Sequence, residues 1–546
     1  MKRTNVLFVV PPTLPIDELN KLVLDDPSRQ GVILAMPMGL LSIASYAGKH
    51  TKADFKILDF NIEVFNYRDK FKNIGWANFC KKTLSESTNG KEPEILGISA
   101  ILNCNAGYLQ SIASNATELW SHVLVVVGGG VPTNMYSYVL GLTPDIDAVA
   151  IGEGEIPFLG LLQAEDRKSY LEKANGWMTR TRVGLGSSPA MDLLYNLDEI
   201  PFLRYDLLDF GQYQKVNRYH GEKQPNIVSA SIMTSRGCPH LCNFCASHTV
   251  HGRKIRYHSP ERVLEDIRLL KKKYGVKILI IEDDNLLVNK KRALKILKGI
   301  SCEDLIIEVS NGLSIMSIDE EIVDALKVAG LKMAGLGVES GSERVLNDII
   351  HKPYTKLSEV KEVVSLLRRK EIYIRGFLVI GFPEETKEDI FESVRFMKQT
   401  GFNWVAVMIA TPIAGSELYD FCKKNNLLIS NKIENFHYGK CNIKLPHSTP
   451  KELEELSYLI NLEVNFVENY DLKNGHPETA LIGFRDVINR MPDHAFAYYY
   501  ASQCYQKMGK YDLALDFLKK YFSIVDSSKY WAEYARHFNL PTEKNF

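Results

Sequence analysis

Two stretches of this chain alternate short, unbroken apolar runs with helical patterns, and that alternation limits the possible folds more than any other feature. Within residues 1–165 the runs lie at 5–10, 54–58, 94–99, 122–128 and 147–151, with helical patterns near 39–49, 68–86, 106–120, 133–141 and 154–163. Continuous Val/Ile/Leu runs separated by helices are strands covered on both faces, the pattern of a parallel sheet. Five such units predict a doubly wound, flavodoxin-like domain, with ligands bound beyond the carboxyl ends of its strands. The pattern fades over 166–225, where Gly184, Gly186, Ser187, Ser188 and Pro189 read as a linker. It returns at 226–234, 277–283, 305–310, 332–339, 374–380 and 404–410. Six strand–helix units, over 226–430, are too few for a closed eightfold barrel. They predict an open, partial (β/α)6 barrel with its chemistry at the strand carboxyl ends.

Helix starts in the second stretch carry cap signals, Ser259-Pro260-Glu261 and Thr386 ahead of Asp389. Residues 431–546 read as all-helical. Ala480, Phe484 and Val487 recur 34 residues later as Ala514, Leu518 and Tyr521, a tetratricopeptide-like period over 470–526. So short an array would be a cap or a protein-docking surface; a plain amphipathic tail packed on the barrel is the competing reading.

Lys+Arg and Asp+Glu are both 66, so no charge excess points to nucleic acid or to an anionic membrane. The apolar start Val6–Val10 is stopped by Pro11-Pro12, too short for a signal-peptide core. No run approaches the roughly 20 apolar residues of a bilayer span. A cytoplasmic protein is expected.

Of nine cysteines only Cys238, Cys242 and Cys245 cluster. They follow the first strand of the second stretch, in a loop opened by Ser235-Arg236-Gly237. Gathered thiolates take soft metals. With His248 they could close a Cys3His zinc site. Alternatively they hold a four-iron cluster that is one thiolate short, so that one iron stays open to a substrate. Cys302, Cys422, Cys441 and Cys504 stand alone and read as small buried hydrophobes.

The run C-x3-C-x-Phe-C after the first strand of such a barrel resembles the signature of the radical S-adenosylmethionine superfamily. The resemblance implies that Cys238, Cys242 and Cys245 hold a 4Fe–4S cluster whose open iron chelates S-adenosylmethionine. Reduction would then release a 5′-deoxyadenosyl radical. It places Phe244 near the adenine. The strand ends Glu282-Asp283-Asp284-Asn285, Gly337-Val338-Glu339-Ser340-Gly341 and Gly381-Phe382-Pro383 would line the S-adenosylmethionine and substrate pocket. Glu339 and Ser340 are the leading contacts, Asp283 and Asp284 the next, and Gly381 a further one. A helix cap or solvated charge is the plainer reading of any one acid.

The front domain resembles the cobalamin-binding domain of the B12-dependent members of that superfamily. The likeness rests on Pro37-Met38-Gly39-Leu40-Leu41, Gly97-Ile98-Ser99-Ala100, Val125–Gly130 and Ile151-Gly152-Glu153-Gly154-Glu155. It implies cobalamin contacts at Ser99, Gly128, Gly129, Gly130, Gly152 and Glu153. Cobalamin domains with a cobalt-ligating histidine carry Asp-x-His-x-x-Gly after the first strand; residues 11–31 contain no histidine.

Together these readings imply a cobalamin-dependent radical enzyme that methylates an unactivated carbon of a small molecule or peptide. It would receive electrons from a flavodoxin or ferredoxin. The alternatives are a radical cyclisation, rearrangement or carbon–carbon bond formation without methyl transfer and, outside enzymes, a zinc-stabilised adaptor. A methylthiotransferase would need three further cluster cysteines, and the front domain offers only Cys80 and Cys104.

Overall fold

The front sheet is built from the five predicted runs. In the computed structural model they form β1 (Asn5–Val10), β2 (Asp54–Asp59), β3 (Ile95–Ser99), β4 (Leu124–Gly128) and β5 (Ala148–Ala150). The strands are parallel in the order β2-β1-β3-β4-β5, with Val6 opposite Phe55 on one side and Ile95 on the other. Phe8, Val9, Leu96, Ile98, Val125 and Val127 are buried between the helices on both faces, as continuous apolar strands require. A sixth strand, β6 (Trp177–Met178), pairs antiparallel with β5. The region 166–225 is thus not wholly a linker but adds this strand to the sheet; two residues are too short for a periodicity to register. The structure describes residues 3–19, 35–214, 218–219, 222–223, 227–436 and 439–543. Most of the histidine-free segment 11–31, and part of the expected strand start at 226, fall outside the described residues.

The second stretch supplies β7 (Val228–Ile232), β8 (Val276–Ile281), β9 (Ile306–Val309), β10 (Met333–Glu339), β11 (Tyr373–Ile380) and β12 (Trp404–Ile409). All neighbours are parallel, in two halves ordered β9-β8-β7 and β10-β11-β12. Isolated bridges Ile307–Leu331 and Leu313–Leu336 join the halves. The barrel is therefore a six-stranded partial one. Helix Pro260–Tyr274 starts as read: Ser259 Oγ accepts from Arg262 N, Pro260 takes the first turn, and Gly275 closes the end in the left-handed conformation. Helix Lys387–Thr400 carries the Thr386–Asp389 capping box.

The tail forms helices Pro477–Arg490, Ala495–Lys507, Tyr511–Ser527 and Lys529–His537, two hairpins at the expected period. Both readings of the tail describe part of it. Ala480, Phe484, Ala514 and Tyr521 fill its own core, and it is also bonded to the barrel's lower end. Arg368 pairs with Asp471 at 2.7 Å, Asn465 bonds both backbone groups of Val405, and Trp404 packs against Phe466 and Phe484. Among the described residues no helix is long and apolar enough to cross a membrane.

Candidate active site

A cavity of about 730 Å³ opens where the carboxyl ends of the front sheet face those of the barrel. Its front-domain wall includes Ser99, Gly128, Gly129, Gly130, Gly152 and Glu153, the full set the sequence assigned to cobalamin. Gly129 sits at φ +108°, and a Cβ there would lie 2.5 Å from the Ala100 carbonyl oxygen. Only glycine lets the β4 loop lie that close to the β3 loop. Leu40, Ile43, Val126 and Phe158 supply the apolar part of this wall. A broad chamber floored by bare backbone fits a large flat cofactor.

The opposite wall is the loop after β7, with Phe244, Cys245, Ala246 and Ser247. Burial pushes the Cys245 thiol up to about 11 and raises Cys238 as well, so a bound metal must displace their protons. Among the described residues no three or more His, Cys, Asp or Glu side chains gather tightly enough to hold a single ion. Cys238, Cys242 and Cys245 are free and half-buried. Their spacing suits a cluster, in which each thiolate takes a different iron.

Asn243 pins this loop to the segment after β10. Its backbone N–H donates to the Ile350 carbonyl at 2.9 Å, its side-chain N–H to the Ile349 carbonyl at 2.5 Å, and its carbonyl accepts from Leu418 N at 2.9 Å. The Tyr354 hydroxyl consequently lies 3.1 Å from Cys242 Sγ. No spacing rule connects 242 to 354, so neither Asn243 nor Tyr354 was visible in the sequence.

The expected S-adenosylmethionine contacts divide. Phe244 and Asp284 line the cavity, and Asp284 accepts from Gly237 N at 3.2 Å. Asp283, Glu339, Ser340 and Gly381 are not among the lining residues. Asp283 is wholly buried and accepts from Thr234 N, Thr234 Oγ1 and Ser235 Oγ at 2.5–2.6 Å, so it anchors the cysteine loop from below. Ser340 is bonded to Ser393 Oγ at 2.9 Å. Gly381 donates to Glu385 Oε2 at 2.6 Å. Glu339 stands at φ +72° and pairs with Lys352 Nζ at 3.1 Å. A non-glycine residue so strained at a strand end must be held by its surroundings. Cys422, Cys441 and Cys504 are buried as expected; Cys302 is exposed, because it lies on the turn after helix Lys290–Ile300 rather than on a packed face.

Glu153 reaches the cavity edge, yet its carboxylate is occupied by the barrel. Arg256 binds it at 2.6 and 2.7 Å, His251 Nδ1 at 2.7 Å and Arg236 at 3.2 Å. Burial opposes the charge, but Arg236, Arg256 and His251 outweigh it and hold the carboxyl well below its ordinary range. Arg236 also bonds Glu155 at 2.7 Å and Ser42 Oγ at 2.9 Å. Arg236 stands two residues before Cys238, so this clamp fixes the cysteine loop against the front domain. The sequence signal was there, a basic residue in the loop and two acids after β5, but nothing in it paired them.

Comparison with known families agrees with both halves. The Radical SAM superfamily matches residues 232–397 and the B12 binding domain matches residues 34–162. The chain belongs to the cobalamin-binding radical S-adenosylmethionine enzymes. Within that class it is similar to an uncharacterized methyltransferase of Pyrococcus horikoshii, 31% identical over 458 residues, covering 84% of this chain and 91% of that one. It is also similar to the cytidylyl-2-hydroxyethylphosphonate methyltransferase of Streptomyces wedmorensis, at 26% identity over 71% of this chain and 77% of that one. In fold it matches TsrM from Kitasatospora setae, solved with cobalamin and a 4Fe–4S cluster bound. That match has a TM-score of 0.59 at 14% identity, over 96% of this chain and 100% of that one. Its cofactors are a 4Fe–4S cluster, S-adenosylmethionine and cobalamin. The zinc-adaptor reading is set aside.

Proposed function

We propose that this enzyme methylates an unactivated carbon of a small molecule or peptide. When bound, the cluster with S-adenosylmethionine supplies a hydrogen-abstracting radical and cobalamin supplies the methyl group. The observation that carries the reading is the shared cavity: the glycine loops of the front sheet and the Phe244–Ser247 loop of the barrel wall one chamber. A carbon activated at one wall would lie opposite the other wall without leaving the site. Cys238, Cys242 and Cys245 would hold the cluster, and Phe244 would stack beside the adenine. Asp284 would meet the polar part of S-adenosylmethionine. Ser99, Gly128, Gly129, Gly130 and Gly152 would hold cobalamin. The Arg236–Glu153–Glu155 clamp keeps the walls in register, and the apolar lining excludes the water that would quench a radical.

Radical chemistry of this class needs a reductant, here assigned to a flavodoxin or ferredoxin of the cytoplasm. The helical tail offers a protein-docking surface. The test is anaerobic incubation of the reconstituted protein with S-adenosylmethionine, cobalamin, a low-potential reductant and candidate substrates. Deoxyadenosine formed together with a product heavier by one CH2 is expected. Deoxyadenosine with a product of unchanged carbon count assigns cyclisation or rearrangement instead. Iron and sulfide retained when Cys238, Cys242 and Cys245 are all changed to alanine refutes the radical reading.

A further inference from the structure

We propose that Tyr354 is a positioning residue for the cluster: it donates its phenolic hydrogen to Cys242 Sγ and raises the cluster's reduction potential. The inference rests on the reading that Cys238, Cys242 and Cys245 bind that cluster. The hydroxyl lies 3.1 Å from the sulfur. A ligating thiolate has no hydrogen to give, so the phenol must be the donor.

The contact is held from both sides. On the cysteine side, the His240 ring stacks on the Tyr354 ring with centroids 4.1 Å apart and planes 22° apart. On the tyrosine side, Asn243 bonds the Ile349 and Ile350 carbonyls. The following residue, His351, takes φ +61°, a conformation a non-glycine residue adopts only when held there. Thr355 N then bonds the Lys352 carbonyl at 3.1 Å, and Lys352 is anchored to Glu339. A flexible tyrosine meeting a sulfur by chance would not need a stacked ring, a pinned loop and a strained turn to aim it.

One-electron reduction adds negative charge that spreads over the cluster sulfurs. A donor to a ligand sulfur stabilises the reduced state more than the oxidised one. Without it the cluster is harder to reduce, and a given electron donor fills less of it.

The test uses the full-length protein reconstituted anaerobically, wild type against Tyr354→Phe, which keeps the stacked ring and removes only the donor. Potentials are read by titration with titanium(III) citrate, following the EPR signal of the reduced cluster. The midpoint is expected to fall. At the wild-type midpoint the reduced-to-oxidised ratio should drop by about tenfold, which is about 59 mV for one electron. Resonance Raman iron–sulfur stretches should shift in D2O for wild type and not for the variant. 3-Fluorotyrosine at 354, a stronger donor, should move the midpoint upward, and this arm decides if Tyr354→Phe assembles poorly. Equal potentials in all three proteins overturn the proposal while leaving the cluster assignment intact. Failure of the wild type to bind iron and sulfide overturns the assignment itself.

Discussion

Replacing Arg236 by methionine tests the interdomain clamp directly. The guanidinium is 7% exposed and contacts Glu155 at 2.7 Å, Ser42 Oγ at 2.9 Å and Glu153 at 3.2 Å. Methionine fills much of the same volume without charge, so packing is largely conserved. Glu153 keeps Arg256 and His251. Among the described residues, Glu155 then keeps the short bond from Ser42. Removing one partner of a buried ion pair costs about 3–5 kcal/mol, chiefly for the carboxylate left behind. A loss of about 3 kcal/mol is a roughly 100-fold rise in local opening. Amide hydrogen exchange on the apo-protein, read on peptides spanning 150–158 and 228–257, should show that acceleration there and little change in the helical tail. Adding Glu155→Gln removes the orphaned charge and should restore roughly half of the loss. Exchange accelerated by the equivalent of less than about 1 kcal/mol in the single variant, or no recovery in the double, would show that the domains dock without this clamp.

Three further outcomes are expected. Gly129→Ala forces a Cβ to 2.5 Å from a backbone oxygen, whereas at Gly152 the nearest atom is the flexible Met191 Cγ at 2.8 Å. Both glycines stand at positive φ, so either alanine costs about 1–3 kcal/mol of backbone strain; thermal stability and cobalamin uptake by absorbance should fall further in Gly129→Ala, where the clash is with backbone, and equal losses contradict the argument. Glu385 is buried, with Oε1 unpartnered among the described residues and Oε2 accepting from Gly381 N, and burial lifts its carboxyl from 4.5 to about 8. The folded state thus binds the proton more tightly than the unfolded one. Its contribution to stability is complete below about pH 4.5 and is lost as pH rises through about 8. Glu385→Gln should gain on wild type steadily between pH 5 and 8 in urea midpoint, and a pH-independent difference would count against it. Asn243→Ala removes the bond to the Ile349 carbonyl and should cost about 1–3 kcal/mol locally. Iron incorporation should fall while cobalamin uptake is unchanged, and a matching loss of both would place Asn243 in general stability instead.

Local chemistry was legible along the chain because it repeats locally. Apolar runs and helical periods marked all six strands of the barrel and the five parallel strands of the front sheet. Ser259, Pro260 and the Thr386–Asp389 box fixed helix starts from a few adjacent residues. The spacing of Cys238, Cys242 and Cys245 announced a metal, and the glycine runs after β4 and β5 announced a ligand close to backbone. What no local pattern holds is which distant groups meet. Asp283 and Asp284 are neighbours with the same charge, yet one is buried beneath the loop and the other faces the cavity, because successive residues leaving a strand point to opposite sides. Glu153, expected as a cofactor contact, lines the cavity and also takes two arginines and a histidine from the barrel. Tyr354 is 112 residues from the sulfur it touches. The sequence by itself determined the elements, the cysteine trio and the two kinds of domain, since each depends on residues within a turn or a strand of one another. The tertiary structure decided which acids are spent on the scaffold and which groups face the chamber, since those depend on side chains that approach only after the sheets dock.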